Sequence, residues 1–376
     1  MILVVTTKLL PTPEQANVPL STMERVNEAC NWLAEKAFKE KTADKYRLHH
    51  AFYRDLREKF GLSAEMAVRT IGKVCDTYKQ NRKVQPVFKP HGSIAYDQRI
   101  LSFKAMDRVS IRVLEKRLLI PFVVGDYFRA RLEGKRGQSD LVLKKGKWYL
   151  YVTVEVPEEA QITPKEWMGV DLGIRNLAVD SDGAKHTGDK VEVVRQKQAR
   201  LKADLQSVGT KSSKKKLKAL SGKEARFRAD TNHTISKVLV SKAKDTGRGI
   251  ALEDLKGINN RVTARKDQRA SRMSWGFYQL RTFIEYKARL SGVPVAIVNP
   301  ANTSITCPAC DCINKRNRRS QAEFCCKSCG YTDHADHVGA VNIARRATVN
   351  WPIVAAIGRE TVQSDTPSRS ATNRRF

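Results

Sequence analysis

Apolar and polar residues alternate over residues 1–10, the period-two signature of a half-buried strand. The pattern then changes period. Val26, Ala29, Trp32, Leu33 and Ala37 fall at helical spacing behind a Ser21-Thr22 cap, which predicts a helix over 20–39. The same style continues from 46 to 78, with 64–78 a further helix, so residues 15–85 read as a helical insertion. Beyond Phe88 come short apolar runs separated by Gly and Asp turns, at 100–103, 109–113, 117–122, 139–144 and 148–156. These predict a small β-barrel that the first strand can join. The first domain is then discontinuous: barrel over 1–14 and 86–160, helices over 15–85.

A second unit opens with Met168-Gly-Val-Asp-Leu-Gly173, and 176–180 with its Ser181-Asp-Gly183 turn reads as the returning strand of a hairpin. Residues 190–244 are rich in Lys, Arg, Ala and Leu and contain no proline, which predicts one antiparallel helical hairpin broken near Ser221-Gly222. A buried strand at 249–253 ends in a carboxylate. An amphipathic helix at 275–290, closed by Gly292, and a strand at 293–298 follow. The alternation of strands and helices predicts an α/β domain over 161–302 and 331–350, interrupted by a cysteine-rich segment at 303–330. Past Arg346 the apolar pattern fades, so 351–376 is expected to be a mobile basic tail.

Length and composition narrow the partners. The 376 residues exceed one comfortable core, and 41% hydrophobic content is ample for folding. No apolar run approaches the roughly 20 residues needed to span a bilayer, and residues 1–10 lack the charge and cleavage pattern of a signal peptide. A cytoplasmic protein without a membrane partner is expected. The 69 Lys and Arg against 39 Asp and Glu leave +30, spread along the whole chain, so a polyanion is the expected partner and nucleic acid the natural one. Residues 211–218 carry five lysines, and Arg261, Arg265, Lys266, Arg269 and Arg272 form a second basic run. Any single one of these is better read as a solvated charge; the aggregate carries the argument. Tyr78, Phe88, Tyr96, Phe128 and Tyr286 interleave with basic residues, yet such aromatics are mostly core, and His233 reads as a packed helix histidine.

Six of the eight cysteines lie between 307 and 329. Cys307-Pro-Ala-Cys310 and Cys326-Lys-Ser-Cys329 are two C-x-x-C knuckles at zinc-ribbon spacing, in which four thiolates surround one Zn²⁺. Four thiolates leave no open position, so the zinc is expected to be structural. Cys312 and Cys325 fit the ligand spacing poorly and read as free thiols, while the 315–319 loop offers basic residues to nucleic acid.

Three carboxylates adjoin apolar runs: Asp171 in Gly-Val-Asp-Leu-Gly, Glu253 in Ile-Ala-Leu-Glu, and Asp336 in Ala-Asp-His-Val-Gly-Ala. Phosphodiester hydrolysis by two Mg²⁺ or Mn²⁺ ions needs hard oxygen ligands gathered around ions about 4 Å apart. Each acid alone is a turn residue or strand end more often than a ligand. Their order, one on a first strand with a hairpin behind it, one on a later strand, one opening a last helix, is that of an RNase H-like fold.

Residues 168–347 therefore resemble the split RuvC-like nuclease of the TnpB family of insertion sequences and of its relatives, the type V CRISPR effectors. Asn232-His-Thr-Ile-Ser-Lys237, residues 275–287 and Val298-Asn-Pro-Ala-Asn-Thr-Ser304 extend the resemblance. It covers about half the chain strongly and the amino-terminal half by architecture. One position departs: the family's Asp-x-Asn-Ala-Ala-x-Asn-Ile is here Asp336-His-Val-Gly-Ala-Val-Asn-Ile, with Val338 in place of the middle Asn. Asp333 competes for the third ligand position, but Asp336 keeps the spacing to Ala340, Asn342 and Ile343.

The resemblance implies a wedge-like barrel and a helical recognition domain that grip a guide RNA, and a nuclease that cuts double-stranded DNA after unwinding it beside a short motif. It implies a monomer with its RNA. It also leaves room for a miniature CRISPR effector, a guide-dependent repressor, or an unguided structure-selective nuclease or transposase. The complete set of acids argues against the repressor.

Overall fold

The computed structural model describes residues 1–105, 107–255 and 276–360, the stretch from 350 as backbone. The chain divides into two compact units, 1–157 and 158–376.

In the first unit β1 (Ile2–Leu9) is followed by α1 (Pro13–Lys39), α2 (Lys45–Phe60) and α3 (Ala64–Gln80). Then come β2 (Ile94–Tyr96), β3 (Leu101–Lys104), β4 (Arg108–Arg112), β5 (Arg117–Val123), α4 (Asp126–Leu132), β6 (Arg136–Lys144) and β7 (Lys147–Glu155). The strands form one antiparallel sheet in the order β2-β6-β7-β1-β5-β4-β3. β1 lies in its middle, pairing Val5 with Val152 and Lys8 with Val123, so the first strand and residues 94–155 share a sheet with the helices inserted between them. No β2–β3 pair closes a barrel among the described residues.

The first helix begins earlier than its apolar spacing suggests. Thr12 is the N-cap, its hydroxyl accepting from the Gln15 amide while the Gln15 side chain accepts from the Thr12 amide. Pro13 sits at N1, where its missing N–H costs nothing, and Pro19 is tolerated within the helix. The expected cap residue Thr22 instead donates its hydroxyl to the Val18 carbonyl. Tyr78, Phe88 and Tyr96 are buried in the unit's core, as their spacing suggested.

The second unit holds β8 (Trp167–Asp171), β9 (Asn176–Asp180), β10 (Lys185–Thr187), α5 (Asp189–Val208), α6 (Lys211–Leu220), α7 (Lys223–Asp245) and β11 (Gly249–Glu253). These are followed by α8 (Phe277–Leu290), β12 (Val295–Val298), a small hairpin of β13 (Glu323–Cys325) and β14 (Thr332–His334), and α9 (Ala335–Glu360). Its sheet runs β10-β9-β8-β11-β12, with β11 parallel to both β8 and β12, and β9 and β10 antiparallel. The basic region expected to be one helical hairpin is three helices, because the chain turns twice through left-handed glycines, Gly209 (φ 65°) and Gly222 (φ 78°). The expected tail boundary at 350 also moves: residues 351–360 continue α9, and 361–376 lie outside the described residues.

Side-chain alternation gives this sheet two different faces. Met168, Val170, Ile250 and Leu252 pack on Leu239, Val240 and Ala243 of α7 and Leu280, Ile284 and Ala288 of α8. Trp167, Ala251, Ala296 and Val298 point the other way, onto Ile343 and Ala347 of α9. Gly169 permits that second contact: a Cβ there would stand 1.9 Å from the Ala340 carbonyl oxygen and 2.6 Å from the Ala344 nitrogen. Only a residue without a side chain lets α9 settle onto β8. Among the described residues no helix is long and apolar enough to cross a membrane.

Candidate functional site

Asp171 and Glu253 are the last residues of β8 and β11. The two strands are parallel and pair Leu252 with Val170, so the next position on each brings the two acids side by side at the same sheet edge. Period-two alternation puts Asp171 on the face of Trp167 and Glu253 on the face of Ala251, the face that α9 covers. Asp336 lies in the first turn of α9, where a carboxylate favours the helix dipole. The same helix brings Gly339 so close that a Cβ there would be 3.1 Å from Asp171 Oδ2.

The three acids interact. Burial pushes the Asp171 carboxyl up to about 8, helped by the negative charges of Glu253 and Asp336, against the lowering effect of Arg318. Glu253 is also raised, chiefly by burial, with Thr303, Arg346 and Arg318 opposing. Each outer acid is oriented by a neutral donor from another segment: Asn176 Nδ2 donates to Asp336 Oδ2 (2.9 Å) and the Thr303 hydroxyl to Glu253 Oε1 (2.5 Å). Arg318 Nη2 donates to the other Asp336 oxygen at 3.3 Å. The sequence reading missed Asn176, Thr303 and Arg318 as neighbours of the acids. Thr303 lay within a motif already singled out, and Arg318 within the loop assigned to nucleic acid, but neither motif shows which carboxylate it meets.

Asp333, the rival third acid, is engaged elsewhere. Its Oδ2 accepts from the Tyr331 hydroxyl (2.9 Å) and faces His337 Nδ1 at 2.6 Å, and its Oδ1 accepts from the His334 amide. Burial, the largest single effect, pushes its carboxyl up, but these bonds together hold it below its ordinary value. The His337 ring also contacts the Ser181 carbonyl oxygen at 3.2 Å.

The Sγ atoms of Cys307, Cys310, Cys326 and Cys329 all lie within 4.8 Å of one another. Cys307–Cys329 and Cys310–Cys326 are each separated by 3.6 Å, close to the ~3.8 Å edge of a tetrahedron with Zn–S bonds of about 2.3 Å. The donor set and spacing therefore fit one zinc ion. The amides of Ser328 and Cys329 point at Cys326 Sγ (3.4 and 3.5 Å) and draw its thiol down to about 6, favouring the thiolate that a metal requires. Cys312 and Cys325 are not part of the four-thiol group. Val338, the residue that departs from the family pattern, is fully buried with Cys307, Cys326, Phe324 and Ala335, and so joins α9 to the cysteine cluster.

His233 is stacked on Phe283 (3.8 Å between centroids, 15° between planes), a packing role. The 211–218 lysines lie on α6. The basic run from Arg261 to Arg272 lies outside the described residues.

Two family models match the chain: residues 150–260 match "Probable transposase", and residues 277–343 match "Cas12f1-like, TNB domain". The chain is 29% identical over 262 residues to the TnpB-like protein MJ0751 of Methanocaldococcus jannaschii, covering 64% of this chain and 91% of that protein. It is 32% identical to the putative RNA-guided DNA endonuclease InsQ of Escherichia coli K12, covering 60% and 61%. It is 31% identical to the CRISPR-associated endodeoxyribonuclease Cas12f1 of Syntrophomonas palmitatica, covering 61% and 49%. The chain spans about half the length of the Cas12f1 relatives it matches. Its fold is shared with the mini-RNA-guided endonuclease CRISPR-Cas_phi3, at TM-score 0.57, 12% identity and 92% coverage of both chains.

Proposed function

We propose that this chain, a relative of the TnpB-like and Cas12f proteins, is a transposon-encoded DNA endonuclease with a RuvC-like centre, directed to its target by a bound guide RNA. The observation that carries the reading is the meeting of Asp171, Glu253 and Asp336 at one end of one sheet, where burial first and then the two other charges raise the carboxyl of Asp171. Nucleic acid as partner accords with the net charge of +30.

Asp171, Glu253 and Asp336 are the residues that would hold divalent cations, magnesium or manganese. Three oxygen-donor groups whose crowding disfavours full ionisation suit a hard cation, and Gly339 keeps the space beside Asp171 Oδ2 clear of a side chain. Such ions, when bound, supply Lewis acidity toward water and the scissile phosphate. The chain's own groups do the positioning. Thr303 and Asn176 fix the rotamers of Glu253 and Asp336 by donating to one oxygen of each. Arg318 brings a guanidinium to the edge of the acid cluster, where a phosphodiester carrying negative charge must approach. The four cysteines would hold a structural zinc, which would brace the segment carrying Arg318.

The test is to purify the chain from cells carrying its native flanking DNA, sequence the RNA that accompanies it, and incubate the complex with Mg²⁺ and matched or mismatched DNA. One abundant RNA ending in a variable segment, with cutting of matched DNA only, is the expected result. Cutting indifferent to sequence would replace this reading with an unguided nuclease; matched binding without cutting would replace it with a guide-dependent repressor.

A further inference from the structure

The corner between α2 and α3 in the first unit is a cleft of about 710 Å³. Arg54 and Arg57 of α2, Arg112 at the end of β4 and Ser63 line it, with Glu58 the only carboxylate among its lining residues. No ion pair engages Arg54, Arg57 or Arg112 among the described residues. Two atoms in the lining are buried without a hydrogen-bond partner in the free protein: Ser63 Oγ and Arg112 Nε. Ser63 is the N-cap of the 17-residue α3, yet its hydroxyl makes no capping bond. Gly61, at φ 64°, ends α2 in the left-handed conformation and turns the chain so that the start of α3 meets this wall.

A buried hydroxyl and a buried guanidinium nitrogen without partners are each costly to leave unsatisfied. Three guanidinium groups, the Ser63 hydroxyl and the positive end of a helix together bring donors to the cleft, against one lining carboxylate, Glu58. That combination matches a tetrahedral oxyanion. We infer that this cleft is a phosphate-binding site that takes one backbone phosphodiester of a nucleic acid. The inference rests on the nucleic-acid reading above but not on cleavage. The phosphate can belong to the RNA or to the DNA, and the measurement separates them.

The experiment uses the full chain. Binding of labelled RNA, and separately of labelled duplex DNA to the RNA-loaded protein, is measured across a salt series for the native chain, R57Q/R112Q, R112K and S63A. Loss of one phosphate contact reduces the slope of log affinity against log salt by roughly 0.7–0.9. R57Q/R112Q is expected to show that reduction for one nucleic acid, R112K to keep the native slope, and S63A to bind about 3- to 10-fold more weakly. S63A removes one oxygen that makes no bond in the free protein, so its reading survives if the double variant unfolds. A reduced slope with RNA assigns the phosphate to RNA, and a reduced slope with DNA assigns it to DNA. Native affinity in S63A together with native slopes in a folded double variant overturns the site. Since only binding is read, a chain that binds but does not cut fails the nuclease reading and leaves this one standing.

Discussion

Arg318 donates to Asp336, Nη2 to Oδ1 at 3.3 Å, from the cysteine-rich segment to the first turn of α9. The pair links the proposed zinc centre to the proposed nuclease centre by one side chain, 29% exposed at the arginine and 13% at the acid. R318A is expected to slow DNA cleavage by about 10- to 100-fold, the usual loss when a partner that orients a metal ligand is removed, while RNA retention stays native. Single-turnover rates on matched DNA measure this, and a rate within twofold of native would remove Arg318 from the mechanism.

Asp171 lies between the other two acids and has no substitute on its strand. D171A is expected to abolish cleavage and leave guide and target binding within about twofold of native, by gel-shift and cleavage assays run in parallel. Equal loss of binding would mean that Asp171 serves the fold and not the chemistry.

The raised carboxyl of Asp171 makes stability depend on pH. Between its ordinary range near 3.8 and about 8 the folded chain holds a proton that the unfolded chain has released. Metal-free protein should therefore lose stability as pH rises through that window. Mg²⁺ should restore stability at the alkaline end by replacing the proton, and D171N should flatten the dependence. Thermal unfolding in chelator and in Mg²⁺, from pH 5 to 8.5, checks the sign; a midpoint that climbs with pH in the chelated native protein would contradict it.

Zinc content is separable from magnesium chemistry. The native chain should carry about one zinc per molecule by elemental analysis, and C310S/C329S close to none, with a lower unfolding temperature. Because Arg318 rides on the same segment, the variant should also lose cleavage. Native zinc content in the double variant would rule out this ligand set.

Gly339 separates stability from function. An alanine there gains helix propensity, on the order of 1 kcal/mol, but places a methyl 3.1 Å from Asp171 Oδ2. G339A should unfold at or above the native temperature in chelator while needing several-fold more Mg²⁺ for half-maximal cleavage. An unchanged Mg²⁺ requirement would show that the space beside Asp171 is not used.

Some of this was written plainly in the chain. Asp171 and Glu253 each read alone as a turn residue or strand end, and only the order of the elements around them singles them out, whereas two C-x-x-C knuckles mark their own partners. What local pattern cannot carry is contact across the sequence: Thr303 meets Glu253 over 50 residues and Asn176 meets Asp336 over 160. Helix limits failed for a different reason. Gly209 reads as one more small residue until its left-handed φ ends α5, and Thr12-Pro13 reads as loop until Gln15 completes the capping box.

The close seat of α9 on Gly169 has a consequence in time. Asp171 and Glu253 leave the ribosome well before Asp336, which follows the first acid by about 165 residues, or roughly 10–30 s of synthesis. Until α9 arrives, the face of the sheet that bears both acids is bare and the third charge does not exist. The basic amino-terminal unit is complete long before then. On the proposed reading, a nascent chain could gather its nucleic acid before it can cut, because the proposed nuclease centre is complete only once α9 has docked.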